Sequence, residues 1–445
     1  MLKYCFAALC LVAPAVGAGA QAIHVAPQVA MMDAPISITA TSLPPDKPVT
    51  IRARTFDHSG QRWESVAVFS SNERRRLDLA VDAPVTGSYA GANGDGLLTS
   101  MQAVGDSAHR ARFDSQWSDT VSTVFQLEVD GIVKSAAVLS RRFGSGEITA
   151  RAVVDDGLVG TLFERVDGSR RPGVLVLGGS EGGNSAADVA YQLAGHGFTT
   201  LSLAYFGAPS LPAQLDEIPL EYFDRAIAFL HRQNTVLFGG VGVLGTSKGA
   251  EAALLIASNS GDIESVVVYA PSSMVWSCIC DSVMHSSWSR GGRPLPAVFP
   301  GGDPSYHPTA GSPIEPSVNY LHRLRYDASP ETRIHGPQIT AAVILIAGDD
   351  DRLWPSALMA RALNSSLSPT SRSKGSRLLI YPGAGHLIPK SRLPAGSTLI
   401  AGGRIQTGGT PAGNAAAGID AWAKAVEFLK RTLTARPAQA QREAK

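Results

Sequence analysis

The first third of the chain alternates between hydrophobic and polar positions. Apolar side chains occupy every second position across residues 49–53 and again across residues 125–129. This period of two is typical of strands with one buried face. Turn-forming clusters rich in Pro, Gly, Asp and Asn separate such stretches, at residues 43–46, 57–60 and 91–96. Short strands at this spacing predict an all-β, immunoglobulin-like sandwich of about seven strands.

The pattern changes at about residue 172, where continuous apolar runs replace the alternation. The runs are residues 173–177, 199–204, 240–244, 266–270, 342–347 and 377–381. Runs of this length fit strands that are buried on both faces of a sheet. Helical periodicity lies between or after them, at residues 184–196, 218–232, 248–259, 356–364 and 414–434. Alternating strands and helices predict an α/β domain with a mostly parallel sheet and helices on both faces.

These changes of pattern divide the chain into segments. We predict a signal peptide at residues 1–22, the β-sandwich at 23–150, the α/β domain at 151–436 and a disordered polar tail at 437–445. Residues 281–336 interrupt the alternation with many prolines and glycines. We interpret them as an excursion above the sheet that helps to shape a pocket.

The N-terminus has the three parts of a secretory signal. Lys3 supplies the positive charge, residues 4–16 are apolar, and small residues around Ala20 form two cleavage sites. The alternative is an uncleaved N-terminal membrane anchor. Cleavage predicts an exported protein, periplasmic or secreted, whose mature chain begins at Gln21 or Ile23. No later stretch of the sequence is long enough to span a bilayer.

Composition removes several classes of protein. Of 445 residues, 44% are apolar and 17% charged, so the chain can bury a large core. Its net charge of +1 argues against electrostatic binding of nucleic acid.

Four cysteines cannot form a disulfide scaffold. Two remain in the mature chain, Cys278 and Cys280, and we favour free thiols over a bridge across one residue. A metal site there lacks a second Cys/His pair at the usual spacing. The sequence does not address the oligomeric state.

The strongest motif is Gly245-Thr246-Ser247-Lys248-Gly249. It follows an apolar strand and precedes a helical segment, which is the context of a nucleophile elbow. The glycines permit a sharp turn that holds the serine hydroxyl exposed at its tip. We therefore predict that Ser247 is a catalytic nucleophile.

A serine nucleophile requires a general base and an acid that orients it. His386 ends the glycine-containing loop that follows the last apolar run. Three acids, Asp349, Asp350 and Asp351, follow the preceding run. The order Ser, acid, His is that of α/β-hydrolases. Position in the loop favours Asp351 as the acid, with Asp350 as the alternative.

An oxyanion hole completes this kind of site. One donor is expected to be the backbone N–H of Lys248, which follows the nucleophile, and the other that of Ser180, in the glycine-rich loop 178–183. That loop has a rival interpretation as a dinucleotide site, but it lacks the G-x-G-x-x-G spacing. The sequence also lacks the H-E-x-x-H metal motif and a Walker lysine. We therefore predict neither a cofactor nor a metal.

These motifs resemble the acyl-CoA thioesterase and bile acid-CoA:amino acid N-acyltransferase family, within the α/β-hydrolase superfamily. The resembling motifs run from the sandwich to the base. They are Gly87-Ser88-Tyr89-Ala90-Gly91, Gly160-Thr161-Leu162-Phe163, Leu203-Ala204-Tyr205-Phe206, Pro219-Leu220-Glu221-Tyr222-Phe223, Ser286-Ser287-Trp288, Gly292-Arg293-Pro294-Leu295-Pro296, Asp350-Asp351-Arg352-Leu353-Trp354-Pro355-Ser356 and Tyr381-Pro382-Gly383-Ala384-Gly385-His386. The resemblance covers residues 33–434, and it implies that the family's nucleophile, acid and base are Ser247, Asp351 and His386.

The resemblance implies a serine hydrolase that cleaves acyl thioesters, with fatty acyl-CoA as the small-molecule substrate. Position 247 carries serine, as in the thioesterases, whereas the amino acid transferases of the family use cysteine. The alternative is an exported carboxylesterase or acyltransferase that acts on a non-CoA ester. A third possibility is a binding protein whose sandwich engages a partner or glycan, and the complete set of triad residues argues against it.

Overall fold

A computed structural model describes residues 19–71, 73–105, 111–281, 285–299 and 301–433 of the chain. Most of the predicted signal peptide and all of the predicted polar tail lie outside these residues. Among the described helices, none combines the length and the apolar composition that crossing a bilayer requires.

The N-terminal part consists almost entirely of β-strands. Its elements are β1 (Ala22–Ala26), β2 (Val29–Met31), β3 (Ser37–Thr41), β4 (Pro48–Phe56), β5 (Arg62–Ser70), β6 (Arg76–Asp78), β7 (Thr86–Gly87), α1 (Gly96–Thr99), β8 (Gln102–Ala103), β9 (Thr120–Val129) and β10 (Ile132–Arg142). They form two sheets, one in the order β1-β3-β6 and one in the order β2-β10-β9-β4-β5-β7, with β8 also paired to β5.

The alternation in the sequence explains this arrangement. In β4 and β5 every second side chain is buried, so each strand presents one apolar face. Ile38 and Leu77 of the smaller sheet share one hydrophobic core with Ile51 and Phe125 of the larger sheet. The two sheets therefore pack face to face on a common core. The immunoglobulin-like character of this part stays a prediction.

The second part alternates strands and helices. Its elements are β11 (Ile148–Val153), β12 (Val159–Arg165), β13 (Gly173–Leu177), α2 (Ala187–Gly195), β14 (Thr199–Ala204), β15 (Ile218–Pro219), α3 (Leu220–His231), β16 (Val241–Thr246), α4 (Lys248–Asn259), β17 (Ile263–Tyr269), β18 (Trp288–Arg290), β19 (Arg293–Pro294), α5 (Pro316–Tyr326), β20 (Ala342–Gly348), α6 (Ser356–Ser366), α7 (Pro369–Ser373), β21 (Arg377–Tyr381), β22 (Leu399–Ile400), β23 (Ile405–Gln406) and α8 (Pro411–Leu433). The predicted α/β alternation is confirmed.

Eight of these strands form one sheet in the order β11-β12-β14-β13-β16-β17-β20-β21. Strands β14 through β21 are parallel, and β11 and β12 join them by antiparallel pairing. One face is covered by α2 and α8, where Leu193 and Trp422 pack with Val176. Helices α3 and α4 cover the other face, where Phe223 and Leu254 join the cluster of Leu175. Helices on both faces bury the parallel strands and exclude solvent from them.

The strand order reverses at β13, which places a crevice above the sheet. The chain goes from β13 to its neighbour β14, and then returns to β16 on the other side of β13. Loops that leave β13 and β16 in opposite directions leave a gap between them at their carboxyl ends. The glycine-rich loop 178–183 and Ser247 follow these two strands, so both lie at this gap.

Two features connect the N-terminal part to the large sheet. Strand β11 begins at residue 148 and pairs along its length with β12, so it crosses the predicted division at residue 150. Arg392 donates from Nε to the carbonyl of Asp33 at 2.8 Å, and its own carbonyl accepts from Arg141 at 2.8 Å. Polar contacts between side chains and main chain therefore join the two parts away from the covalent link.

The segment between β17 and β20 leaves the sheet, and it contains β18, β19 and α5. Here Cys278 and Cys280 form a disulfide, so the expectation of free thiols is wrong. Ile279 between them pairs with Leu215, and Cys278 donates from its backbone N–H to His285. Alternate residues of an extended segment face the same side, and the two Cα atoms are 5.4 Å apart, within disulfide range.

Candidate active site

The nucleophile elbow is the turn between β16 and α4. Ser247 has φ 55° and ψ −118°, a conformation that side-chain-bearing residues rarely adopt. Two glycines make the turn possible. A Cβ at Gly245 would lie 2.2 Å from the carbonyl oxygen of Gly249, and one at Gly249 would lie 2.1 Å from that of Gly178. A side chain at either position would collide with neighbouring main-chain atoms, so both positions require glycine.

Three side chains that are far apart in sequence meet at this elbow. His386 Nε2 lies 3.0 Å from Ser247 Oγ, and His386 Nδ1 lies 2.9 Å from Asp351 Oδ2 and 3.1 Å from Oδ1. All three residues are buried, with exposures of 9%, 3% and 8% for Ser247, His386 and Asp351. Such an arrangement lets the imidazole accept the serine proton while the carboxylate stabilises the resulting imidazolium.

The acid is held by its own loop. Asp351 Oδ1 accepts hydrogen bonds from the N–H groups of Leu353 at 3.0 Å and Trp354 at 3.2 Å, and Oδ2 accepts from Ser356 Oγ at 2.5 Å. These donors favour a carboxylate in one orientation, with an oxygen directed at His386. The position of the acid is thus determined by the turn that starts α6.

The two neighbouring acids, Asp349 and Asp350, accept hydrogen bonds from nearby loops and not from His386. Asp350 accepts from Arg352 Nε and from the N–H of Gly409, each at 2.9 Å. Asp349 accepts from the N–H of Gly383 at 2.7 Å. Of the three acids, Asp351 is the one that the structure brings to His386.

His386 is fixed through its main chain. The N–H of His386 donates to the carbonyl of Thr407 at 2.8 Å, and the N–H of Gly385 donates to Asn414 Oδ1 at 2.7 Å. The Trp354 ring packs edge-on against the imidazole, with centroids 5.7 Å apart. These contacts hold the imidazole between Ser247 and Asp351.

The glycine-rich loop lies beside the nucleophile. A Cβ at Gly179 would be 3.4 Å from the Cβ of Ser247, so the loop passes close to the serine. Within the described residues, the N–H groups of Ser180 and Lys248 donate to no other backbone group. Both remain open to a ligand atom, and their role as oxyanion donors stays a prediction.

The Lys248 side chain forms a second polar system behind the elbow, which the sequence did not suggest. Its Nζ donates to Glu251 Oε2 at 3.0 Å, to Ser287 Oγ at 2.8 Å and to the carbonyl of Ser277 at 3.2 Å. The spacing of Lys248 and Glu251 places both on one side of α4. That spacing was the one available signal in the sequence.

Glu251 completes this buried network. Its Oε1 accepts from the backbone N–H of Trp276 at 2.9 Å and from the indole N–H of Trp288 at 2.8 Å. Burial raises the pKa of Glu251 and lowers the pKa of Lys248, and the attraction between the two charges opposes both changes. The pair fastens the excursion after β17 to the helix that carries the nucleophile.

One group of potential metal ligands lies away from the elbow. Asp216 is close to Cys278 and Cys280, and also to Glu217 and His285. The two cysteines are joined to each other, and Asp216 already accepts a hydrogen bond from His285 Nδ1 at 2.9 Å. The donors are therefore engaged with one another, and we assign no metal to them.

Two solved structures are partly similar to this chain in the course of the backbone. A dienelactone hydrolase-like promiscuous phosphotriesterase from metagenomic libraries is 18% identical, with a TM-score of 0.40, over 64% of this chain and 99% of that one. Dienelactone hydrolase from Anabaena variabilis is 18% identical, with a TM-score of 0.33, over 54% of this chain and 88% of that one.

Sequence relatives match nearly the whole chain. Acyl-coenzyme A amino acid N-acyltransferase 1 of Mus musculus is 29% identical over 432 residues, covering 92% of this chain and 96% of the relative. Acyl-coenzyme A thioesterase 1 of Rattus norvegicus is 28% identical over 414 residues, covering 90% and 94%.

Two family profiles match consecutive parts of the chain. Residues 33–155 match the N-terminal region of acyl-CoA thioester hydrolase/BAAT, and residues 218–435 match the BAAT/acyl-CoA thioester hydrolase C-terminal region. The first match covers the two-sheet part from β3 onward and extends through β11, and the second includes Ser247, Asp351 and His386. The chain therefore belongs to the acyl-CoA thioester hydrolase/BAAT family.

Proposed function

We propose that this protein is a serine hydrolase that cleaves acyl thioesters through an acyl-serine intermediate on Ser247. The observation that carries the proposal is the unbroken path of hydrogen-bonding distances from Ser247 Oγ through His386 to Asp351. Membership of the acyl-CoA thioester hydrolase/BAAT family supports the thioester as the bond that is cleaved. Fatty acyl-CoA is the substrate that we propose first, because the curated relatives include acyl-coenzyme A thioesterases.

In the acylation step, His386 Nε2 removes the proton of Ser247 as its Oγ attacks the thioester carbonyl. The negative charge that develops on the carbonyl oxygen is stabilised by the N–H groups of Lys248 and Ser180. Asp351 keeps Nδ1 protonated and stabilises the imidazolium. The imidazolium then protonates the departing thiolate, which leaves as a free thiol and regenerates neutral His386.

In the deacylation step, water attacks the acyl-serine ester. His386 removes a proton from the water and returns it to Ser247 Oγ as the ester breaks, so the acid is released and the enzyme is restored. We propose water rather than an amine as the acceptor, because position 247 carries serine. The transferases that the family includes would instead hold the intermediate for an amine.

We also propose that the protein is exported. The predicted cleavage region lies next to β1, which starts at Ala22, and Ile23 and Val25 are buried in the core of the N-terminal part. A mature chain starting at Gln21 retains all of β1. N-terminal sequencing of the protein from its native host tests this, and a full-length chain in the cytoplasm would contradict it.

A fluorophosphonate probe and a substrate panel test the proposed activity. We expect covalent labelling of Ser247 and release of free thiol from acyl-CoA substrates. Rapid cleavage of p-nitrophenyl esters with inert acyl-CoA would favour the exported carboxylesterase instead. Supplying excess glycine or taurine and resolving the products by mass spectrometry tests the acceptor, and an amide as the main product would contradict hydrolysis.

A further inference from the structure

A cleft of about 500 Å³ lies between the N-terminal part and the large sheet, beside the nucleophile. Its floor includes Gly179 of the glycine-rich loop and Thr246, the residue before Ser247. One wall is formed by residues 387–395, which follow His386, and the other by residues 112–115 of the N-terminal part. The cleft thus lies at the junction between the two parts of the chain, next to the elbow that carries Ser247.

The inner lining of this cleft is apolar except for a few charged groups. Phe143, Leu244, Ile388 and Leu393 are among the apolar residues, and each is buried. The charged lining residues are Arg112, Asp114, Glu181, Asp188 and Lys390. Among the described residues, none of these five forms an ion pair with another of the five within 4.0 Å. Glu181 acts on Arg112, and Asp188 and Glu181 act on Lys390, through longer-range attraction only.

Lys390 and Asp188 are the half-buried members of this set, and the other three are exposed. The Lys390 ammonium lies over the Tyr269 ring, 4.3 Å from the centroid, and it makes no hydrogen bond within the described residues. Its main chain is fixed, because its carbonyl accepts a hydrogen bond from Gln192 on α2. An ammonium that has no hydrogen-bonding partner, and that Asp188 and Glu181 attract only at longer range, is a poorly solvated donor.

Two acids act on Lys390 from a distance, Asp188 and Glu181. Asp188 Oδ1 accepts from the N–H of Val189 at 2.7 Å, and burial raises the pKa of Asp188 whereas the charge of Lys390 lowers it. Glu181 is exposed at the mouth of the cleft, and its charge also acts on Arg112. Burial lowers the pKa of Lys390 to about 8, so the ammonium is still the main form at pH 7.

We propose that Lys390 binds an anionic group of the substrate, a carboxylate or a phosphate, in this cleft. The inference rests on the proposed function, since it concerns the substrate of the same site. The anion has two possible sources, the thiol that leaves or the acyl chain. The apolar lining around Lys390 would accommodate the uncharged part of either group.

Three thioesters with the same short chain length separate these sources. The first is an acyl-CoA, in which the leaving thiol, coenzyme A, carries phosphates. The second is a neutral acyl-N-acetylcysteamine. The third is an N-acetylcysteamine thioester whose acyl chain ends in a carboxylate. Lys390→Met should raise KM about tenfold or more for whichever anionic thioester binds there, with kcat little changed, and leave the neutral thioester unaffected. Lys424→Met, at an exposed lysine on α8, is the matched control.

The pH dependence gives a second test. The other titratable groups that line the cleft are Asp188, Glu181, Asp114 and Arg112. Tyr269 lies outside the lining and contacts Lys390 through its ring. In the wild type, KM for the anionic thioester should rise above about pH 8 as the ammonium is lost. In Lys390→Arg the positive charge persists, so KM should stay constant across this pH range. The other titratable groups are present in both proteins, so a difference between the two pH profiles reports on residue 390.

Binding to Ser247→Ala keeps the inference testable without turnover. Calorimetric titration with coenzyme A, or with the carboxylate product of the third thioester, should give weaker binding in Ser247→Ala/Lys390→Met than in Ser247→Ala. Failure of the wild type to cleave any thioester would refute the proposed function, and this titration would still decide the role of Lys390. Equal affinities in both proteins, or an equal change in KM for charged and neutral thioesters, would overturn the inference.

Discussion

Two buried polar systems start from adjacent residues of the elbow, and they differ in how their atoms are satisfied. Ser247 belongs to the first, in which the chain of hydrogen bonds ends on a hydroxyl at the edge of a crevice. Lys248 belongs to the second, in which Nζ makes three hydrogen bonds and Glu251 accepts three. The hydroxyl that ends the first system can still contact a ligand, whereas the ammonium and the carboxylate of the second are fully engaged with protein groups.

The difference shows how one turn can serve both reaction and position. In the proposed mechanism a proton moves along the first system, because attack of Ser247 Oγ on a substrate carbonyl transfers the hydroxyl proton to His386. The second system offers no free site, so its role is to hold α4 against the segment that contains Trp276 and Trp288. The predictions below test this division, from the largest expected effect to the smallest.

Ser247→Ala should remove turnover and probe labelling while the protein remains folded. Loss of a triad serine costs on the order of 10⁶-fold in rate. Steady-state kinetics and circular dichroism on the same preparation check both statements. Residual activity of more than a few per cent would remove Ser247 from the reactive system.

Asp351→Asn should lower kcat by about 10⁴-fold, because an amide cannot keep the required tautomer of His386. Asp350→Asn is the matched control, since its carboxylate bonds Arg352 and Gly409 instead. Parallel kinetics of the two variants decide the matter. A larger loss in Asp350→Asn would move the acid by one residue.

Lys248→Met should destabilise the protein by about 3–5 kcal/mol, because it leaves the Glu251 carboxylate buried without its cation. Lys248→Met/Glu251→Met should recover only part of that stability, because the buried N–H groups of Trp276 and Trp288 lose their acceptor. The double variant should keep kcat within about tenfold, since the backbone N–H of residue 248 is retained. Urea unfolding and kinetics measure the two quantities. If the double variant is stable but inactive, the second system takes part in the reaction.

Ser356→Ala should have the smallest effect, about a tenfold fall in kcat. It removes one of three local donors to Asp351 and leaves Leu353 and Trp354 to orient the carboxylate. Ser366→Ala, on the same helix and away from the triad, is the control. An effect as large as that of Asp351→Asn would mean that Ser356 alone positions the acid.

The sequence predicted the α/β alternation well, because buried parallel strands and their helices have distinct periods. Helix α4 lies at the predicted residues, and α3 differs from its prediction by three residues in all. The residues of the elbow were also identifiable, since a glycine-flanked serine between strand and helix is a local pattern. Their catalytic roles stay a prediction that the variants above examine.

Features that depend on distant residues were not predictable. Lys248 and Glu251 are three apart, but their partners Trp276, Ser277 and Trp288 come from the excursion after β17. The disulfide was missed because its local geometry depends on the pairing of Ile279 with Leu215, more than sixty residues away in the chain. The cleft at Lys390 requires the N-terminal part to lie against residues 387–395, a contact that no local pattern encodes.

Strand β11 has a practical consequence for dissecting the protein. A catalytic half that starts at residue 151 would lose Ile148, Thr149 and Ala150, which pair with Arg165, Glu164 and Phe163 of β12. Half of the β12 edge would then carry unsatisfied N–H and C=O groups, which are templates for intermolecular strand pairing and aggregation. A version that starts before residue 148 retains its own edge strand, so poor solubility of the shorter fragment would reflect the cut and not an intrinsic need for the two-sheet part.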